Sequence, residues 1–109
     1  MRLVLILVLA LPALSACGRG GDDQVTFDGN IYRAELARIE GDRREFAIDV
    51  RPASLGLEGA REAGRYEATK YCIRNFGSSA ATWTIGPDSP EEALVVEDDR
   101  LRLRGACAG

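Results

Sequence analysis

Histidine is absent from this chain of 109 residues. Histidine is the commonest general base and the commonest metal ligand in proteins, so the chain lacks the usual centre of acid–base catalysis and of metal sites. No nucleophile elbow or phosphate-binding glycine loop is present either. The acidic pairs Asp22-Asp23, Glu91-Glu92 and Asp98-Asp99 fall in segments expected at the surface. We therefore predict a non-enzymatic protein without a metal or cofactor. An enzyme, the alternative, would need a concave site with converging carboxylates.

Basic charge and long apolar runs are also scarce. The chain has 14 basic residues against 17 acidic ones, and Lys70 is its only lysine. Nucleic-acid-binding domains usually carry a basic surface, so we expect no nucleic-acid partner. The apolar run from Leu3 to Leu14 would span only about 18 Å as a helix, whereas the hydrocarbon core of a bilayer is about 30 Å thick. This run is therefore too short for a transmembrane helix.

The first 17 residues instead have the order of an export signal. Met1-Arg2 supplies a positive charge, the apolar run follows, and small residues precede Cys17. Leu14-Ser15-Ala16-Cys17 resembles the lipobox of bacterial lipoproteins. That resemblance implies that residues 1–16 are a signal peptide and that Cys17 is acylated. The alternative is an ordinary signal peptide cut after Ala16, which would leave Cys17 as a free thiol.

The lipobox resemblance also implies where the mature protein lies. Several acyl chains on Cys17 would anchor the chain stably in a membrane, since each buried CH₂ contributes about 0.8 kcal/mol. Gly18 follows the cysteine in place of the aspartate that retains such proteins at an inner membrane, so the outer membrane is favoured. Residues 17–24 then form a flexible, lipid-anchored tether. Residues 25–109 form a single small domain.

Cys72 and Cys107 are the two cysteines of this domain. Two cysteines of a small domain in an oxidising compartment usually pair, so we predict a disulfide. It would close a loop of about 36 residues and add roughly 4 kcal/mol in the chain-entropy model. A redox pair or two metal ligands are the alternatives.

Apolar and polar residues alternate in two segments near the start of the domain. Tyr32, Ala34 and Leu36 alternate with charged residues, and so do Phe46, Ile48 and Val50, which predicts two strands joined by a turn at Gly41. The predicted register sets Leu36 opposite Phe46 and Arg33 opposite Asp49. Val25-Thr26-Phe27, before an Asp-Gly turn signal, predicts a short strand ahead of them.

A helix is predicted from Leu57 to Phe76, with Gly77 at the C′ position. Small residues spaced by four, among them Ala60, Gly64 and Cys72, would let this helix lie close against a sheet. Downstream, Ala81–Ile85 is a predicted strand. Ser89 is a predicted cap of one helical turn, and the segments 94–97 and 100–103 form a predicted hairpin. The order β-β-α-β-β-β indicates an α+β domain, with one helix packed on an antiparallel sheet of about five strands.

Three groups of residues are candidates for binding. Arg100, Arg102 and Arg104 lie on the solvent face of the last strand, where they bind an anion or are balanced by acidic neighbours. Tyr66 and Ile73 lie on the helix face away from the sheet, where they bind a partner or are covered by the loop 78–92. Trp83 belongs to the core or forms a ligand platform.

The block Gly64–Ile73, with Trp83 and Gly86-Pro87-Asp88 downstream, is similar to small lipoproteins of alphaproteobacteria, a resemblance that implies no particular activity. The predicted function is that of an accessory lipoprotein of the cell envelope. It is held in the membrane through Cys17 and binds another envelope protein. A periplasmic domain that binds a small ligand, a glycan or an anion is the alternative.

Overall fold

The computed structural model describes residues 25–109, so the predicted signal peptide, Cys17 and the segment 17–24 lie outside the described residues. The predicted α+β fold is confirmed, with one helix packed on an antiparallel sheet. The strands are β1 Thr26–Phe27, β2 Asn30–Ile31, β3 Arg33–Ile39, β4 Asp42–Arg51, β5 Ala81–Ile85, β6 Val95–Glu97 and β7 Arg100–Cys107; the helix is α1 Leu57–Phe76, and 3₁₀ turns occupy Ala53–Leu55 and Glu91–Ala93.

β7 lies at the centre of the main sheet. The strands follow the order β3-β4-β7-β5, and β6 also pairs with β7. Every pairing is antiparallel, with β6 bonded to the first residues of β7 and β5 to the last. β1 and β2 form a separate short hairpin, whose turn residues Asp28 and Gly29 have positive φ angles of 54° and 81°.

The core lies between α1 and one face of the sheet. Phe46, Ile48 and Val50 are fully buried there, as their alternation predicts. From α1, the buried residues are all small: Gly59, Ala60, Ala63, Gly64, Ala68 and Cys72. A Cβ atom at Gly64 would overlap Cδ1 of Leu103, so the helix backbone itself lies against the sheet. Small residues set this distance, because a larger side chain would hold the two layers apart.

The predicted register of β3 against β4 is wrong by two residues. Leu36 pairs with Ile48 rather than Phe46, and Arg33 pairs with Arg51 rather than Asp49. The pairing shifts between Arg38 and Ile39, because extra residues of β4 bulge out after a tight turn at positions 40–41. A shift of two keeps each side chain on its face of the sheet, so the buried residues are those predicted even though their partners differ.

The predicted bounds of α1 are confirmed. Gly77 has a left-handed backbone (φ 77°), and its N–H donates to the carbonyl of Ile73 at 2.9 Å. The 3₁₀ turn before the helix is bonded to the β6–β7 turn. The backbone N–H and the hydroxyl of Ser54 donate to the carboxylate of Asp99 at 2.7 and 3.0 Å.

The predicted hairpin of β6 and β7 is confirmed, with β6 beginning at Val95. Val96 pairs with Leu101, and the intervening Asp98 and Asp99 have the positive φ angles of a primed turn, 54° and 61°. The predicted cap by Ser89 is wrong. Its hydroxyl instead accepts the N–H of Gly86 at 2.8 Å, and the short 3₁₀ turn begins after Pro90. The Ser89 hydroxyl, which the sequence pattern assigns to a helix cap, therefore stabilises a local turn instead.

The predicted disulfide is confirmed between Cys72 on α1 and Cys107 at the end of β7, with the two Cα atoms 5.5 Å apart. Both cysteines are buried between the helix and the sheet. Within residues 25–109, no helix is both long enough and apolar enough to cross a membrane.

Candidate functional site

A groove of about 950 Å³ opens where β3 begins and β4 ends. Its walls are the β1–β2 hairpin, the outer side of α1 and the β6–β7 turn. We call it the N-terminal groove and define it by the following residues: Val25, Phe27, Ile31, Arg33, Arg51, Tyr66, Glu67, Lys70, Asp98, Asp99 and Arg100.

One wall of the groove exists because the β1–β2 hairpin packs on α1. The hydroxyl of Tyr32 donates to the carbonyl of Gly56 at 2.9 Å, and the Phe27 ring lies 5.5 Å from the Tyr66 ring. Gly59 faces this contact. A Cβ there would lie 2.8 Å from the Phe27 carbonyl oxygen and would overlap the Tyr32 ring. The missing side chain of Gly59 is therefore what lets the hairpin close over the helix.

Three arginines from three adjacent strands line the groove. Arg33 of β3 pairs directly with Arg51 of β4. Arg51 is in turn one residue beyond Val50, which pairs with Leu101, so Arg100 is at the next register position. Like charges directly opposite one another destabilise a sheet. Glu35 offsets part of this repulsion through an ion pair with Arg51 at 3.7 Å, whereas Arg33 and Arg100 form no ion pair within residues 25–109.

Apolar groups lie beside these cations. Val25 is 37% exposed and Ile31 is 54% exposed. The ammonium group of Lys70 lies 4.8 Å from the centre of the Tyr66 ring and forms an ion pair with Glu67 at 3.4 Å. The groove thus combines exposed aliphatic side chains with guanidinium groups, an arrangement that suits an anionic group carried on an apolar body.

The three arginines of the predicted ladder have different surroundings. Arg102 pairs with Glu97 at 3.2 Å and with Asp49 at 3.7 Å, and Arg104 pairs with Glu45 at 3.9 Å. These two arginines fit the alternative of a solvated face balanced by acidic neighbours. Arg100 alone joins the groove. The sequence pattern grouped arginines along one strand and missed Arg33 and Arg51. The correct β3–β4 register is needed to predict that these two residues are opposite one another.

Tyr66 and Ile73 are both exposed, at 40% and 51%. They share one face of α1 but stand seven residues apart, about 10 Å along the axis. The groove includes Tyr66 and not Ile73. The loop expected to cover them is instead bonded to another side of the helix, through Arg61 and Arg65. Phe27 is the residue that partly covers Tyr66.

Trp83 packs into the core rather than forming an open platform. Its ring meets that of Phe46 edge to face, with centroids 5.3 Å apart. A Cβ at Gly86 or at Gly105 would come within 3 Å of the indole, so the backbone of two segments closes on the ring.

Arg61 and Arg65 attach the loop 86–90 to α1. One guanidinium nitrogen of Arg61 donates to the carbonyls of Pro87 and Ser89 at 3.0 and 2.7 Å, and Arg65 pairs with Asp88 at 2.7 Å. The hydrogen bond from Arg65 lowers the pKa of Asp88 below its ordinary value, and the same bond raises the pKa of Arg65. These arginines therefore serve the fold, and they lie outside the groove.

Across residues 25–109, no three acidic or cysteine side chains are grouped so that they could hold a metal ion. Comparisons of the chain with protein-family models, with curated proteins and with solved structures find no match.

Proposed function

We propose that this chain is a lipid-anchored protein of the bacterial cell envelope, which acts without catalysis as an accessory module that binds another envelope protein. The observation that carries the proposal is the segment Leu14-Ser15-Ala16-Cys17 directly behind a short apolar run. Loss of residues 1–16 removes only Arg2 among the charged residues. The mature chain then has 13 basic and 17 acidic residues, a net charge of −4. Gly18 after the cysteine favours the outer membrane.

The anchor is tested by mass spectrometry of the N-terminal peptide of the protein purified from its host. We expect a peptide that begins at Cys17 and carries acyl chains, in a protein that fractionates with membranes. Cys17→Ser is expected to abolish both the added mass and the membrane fractionation. An unmodified Cys17 in a protein of the soluble fraction would contradict the proposal. Separation of the two membranes then decides between inner and outer location.

The partner surface that we propose is the exposed side of α1, because Tyr66 and Ile73 present apolar area there. Crosslinking of the lipidated protein in cells, followed by mass spectrometry, is expected to recover one envelope protein in stoichiometric amount. The double substitution Tyr66→Ser/Ile73→Ser is expected to abolish its recovery. Val95→Ser/Val96→Ser, at residues that are similarly exposed on β6, provides the matched control. Recovery of the lipoprotein alone would contradict partner binding.

A second candidate function is binding of a small anionic ligand, which the arginines of the N-terminal groove favour. Ligand binding to the folded state raises thermal stability by an amount that grows with the logarithm of the ligand concentration relative to Kd. An increase in the melting temperature with one member of a panel of anions and glycans, lost in Arg33→Gln/Arg51→Gln, would support this candidate. An unchanged melting temperature across the panel would remove it.

A further inference from the structure

We infer that the N-terminal groove docks on the anionic headgroups of the bilayer that holds the acyl chains of Cys17. The inference rests on the proposed lipid anchor and goes beyond it, because it assigns an orientation and a lipid-binding surface to the folded domain. The occupant is a membrane surface that contains anionic phospholipid. Three features of the groove lead to it: its charge, its apolar rim and its place in the chain.

The groove carries four basic residues against three acidic ones, and its row of arginines is matched by phosphate. Arg33 and Arg51 are directly opposite one another in the β3–β4 pairing, and Arg100 lies at the next position across β4 and β7. This row of like charges at one end of the sheet repels itself, and an anion placed against it relieves the repulsion. Guanidinium groups bind phosphate oxygens through paired N–H donors, so a lipid phosphate suits this row.

The apolar rim of the groove suits a bilayer better than a free anion. Val25, just before the hairpin, and Ile31 of β2 line the same groove as the arginines, and Ile31 is more than half exposed. A soluble phosphate gives these aliphatic side chains no partner, whereas the boundary between headgroups and acyl chains accepts both the cations and the aliphatic groups. Tyr66, which is amphipathic and 40% exposed, lies in the same groove, and tyrosine is enriched at this depth of a membrane.

The course of the chain brings the groove to the membrane. Val25, the first described residue, lines the groove. Seven residues, 18–24, lie between it and Cys17, and these eight steps from Cα to Cα reach at most about 27 Å when fully extended. The groove therefore contains Val25, the residue of the folded domain whose distance from Cys17 is limited most directly by the length of the connecting chain. Attraction between basic side chains and an anionic surface acts over about one Debye length, roughly 8 Å at physiological salt.

Arginine-selective chemical labelling of the full acylated protein tests the inference. The protein is reconstituted in vesicles of phosphatidylcholine with 30% phosphatidylglycerol and, separately, in vesicles of phosphatidylcholine alone. Each added basic contact with an anionic surface corresponds to about a fivefold change in affinity. We expect Arg33 and Arg100 to be labelled at least fivefold more slowly in the anionic vesicles, and the protection to disappear in 0.5 M salt. Arg38 and Arg74, which are exposed elsewhere, serve as controls within the same molecule.

Substitution provides a second measurement. Arg33→Gln/Arg51→Gln/Arg100→Gln is expected to abolish the slowing of amide hydrogen exchange at residues 25–31 that anionic vesicles cause in the parent protein. Arg38→Gln/Arg43→Gln/Arg74→Gln removes the same number of positive charges at positions outside the groove. In this variant the slowing of exchange at residues 25–31 is expected to persist.

The remaining outcomes separate the two proposals. If the protein binds both kinds of vesicle but Arg33 is not protected from labelling, the docking is overturned, whereas the proposed lipid anchor is supported. Protein that stays in solution with an unmodified Cys17 would overturn the anchor, and the docking with it. Equal protection of Arg33 by inorganic phosphate without vesicles would overturn membrane docking in favour of a free anion.

Discussion

At the scale of single residues, two close contacts of α1 depend on a missing side chain. Gly59 admits the Phe27 carbonyl and the Tyr32 ring, and Gly64 admits Leu103. Glycine costs about 1 kcal/mol relative to alanine inside a helix, so propensity alone would favour replacement at either position. The packing of the hairpin and the sheet on α1 outweighs that preference.

Gly59→Ala is expected to destabilise the protein by about 1–3 kcal/mol, because the new methyl group meets backbone that cannot move without releasing the hairpin. Denaturant unfolding measures the loss, and amide hydrogen exchange is expected to accelerate at residues 26–31. Tyr32→Phe, which removes only the hydrogen bond to Gly56, is a milder change of about 1 kcal/mol at the same contact. A more stable Gly59→Ala variant would show that helix propensity outweighs packing here.

Asp88→Asn is expected to lower the melting temperature at neutral pH and to have no effect in strong acid. The hydrogen bond from Arg65 lowers the pKa of Asp88, so its stabilisation is fully present above the pKa of aspartate in the unfolded chain, about 3.9. It is lost as the pH falls through the lower pKa of the folded state. Melting temperatures measured from pH 7 to pH 2 check this sign.

Asp98→Asn is the control for this series, since it removes the same charge at a residue that forms no ion pair within the described part of the chain. A difference between Asp88→Asn and the parent that widens towards low pH would contradict the assignment.

At the scale of elements, the loop between β5 and β6 is held by α1 as well as by its own turns. Arg61 is only 14% exposed and donates to two carbonyls of this loop, above the fully buried Pro87. Arg65, by contrast, makes an ion pair at the surface with the carboxylate of Asp88, whose side chain is 82% exposed. Burial therefore distinguishes two neighbouring arginines that bind the same loop.

Arg61→Met is expected to lower the free energy of unfolding by about 2–3 kcal/mol, because two hydrogen bonds from a charged donor are lost and carbonyl groups remain without partners. Arg65→Met is the matched variant on the next turn, and its loss is expected to stay below about 1 kcal/mol, as for exposed ion pairs generally. Denaturant unfolding of both variants gives the comparison. Equal losses would mean that burial does not set the strength of this attachment.

At the scale of the whole molecule, the groove and the disulfide lie at opposite ends of β7. Arg100, its first residue, lines the groove, and Cys107, its last, is bonded to Cys72 near the end of α1. A domain that docks on the bilayer through the groove would direct the disulfide end away from the membrane. Ile73, next to Cys72, would then be presented to a partner in the envelope. The proposed lipid contact and the Ile73 part of the proposed partner surface thus lie at different ends of one small domain, whereas Tyr66 takes part in both surfaces.

Cys72→Ala/Cys107→Ala is expected to reduce the free energy of unfolding by about 4 kcal/mol, since the crosslink removes conformational entropy from the unfolded chain across a sequence separation of 35 residues. Denaturant unfolding under non-reducing conditions measures this loss. Cys17→Ser, which leaves the crosslink in place, is the control. A loss below about 1 kcal/mol would indicate that the core alone holds α1 on the sheet.

The local pattern of the sequence determined the helix, the buried faces and the disulfide. Alternation marks which side of a strand is buried, and Gly77 ends the helix because it accepts a left-handed backbone. Both properties depend on residues within a few positions of one another. The pairing of Cys72 with Cys107 could be anticipated because the domain has only these two cysteines.

Only the tertiary structure decided the register of β3 on β4 and, with it, the groove. A bulge near Arg38 moves Arg33 opposite Arg51, and no periodicity in the sequence reports how many residues a bulge contains. The groove gathers residues from three strands, a hairpin and a helix that are far apart in the chain. Which of them meet depends on how the layers pack, and that is fixed by long-range contacts such as the closure of the hairpin over Gly59.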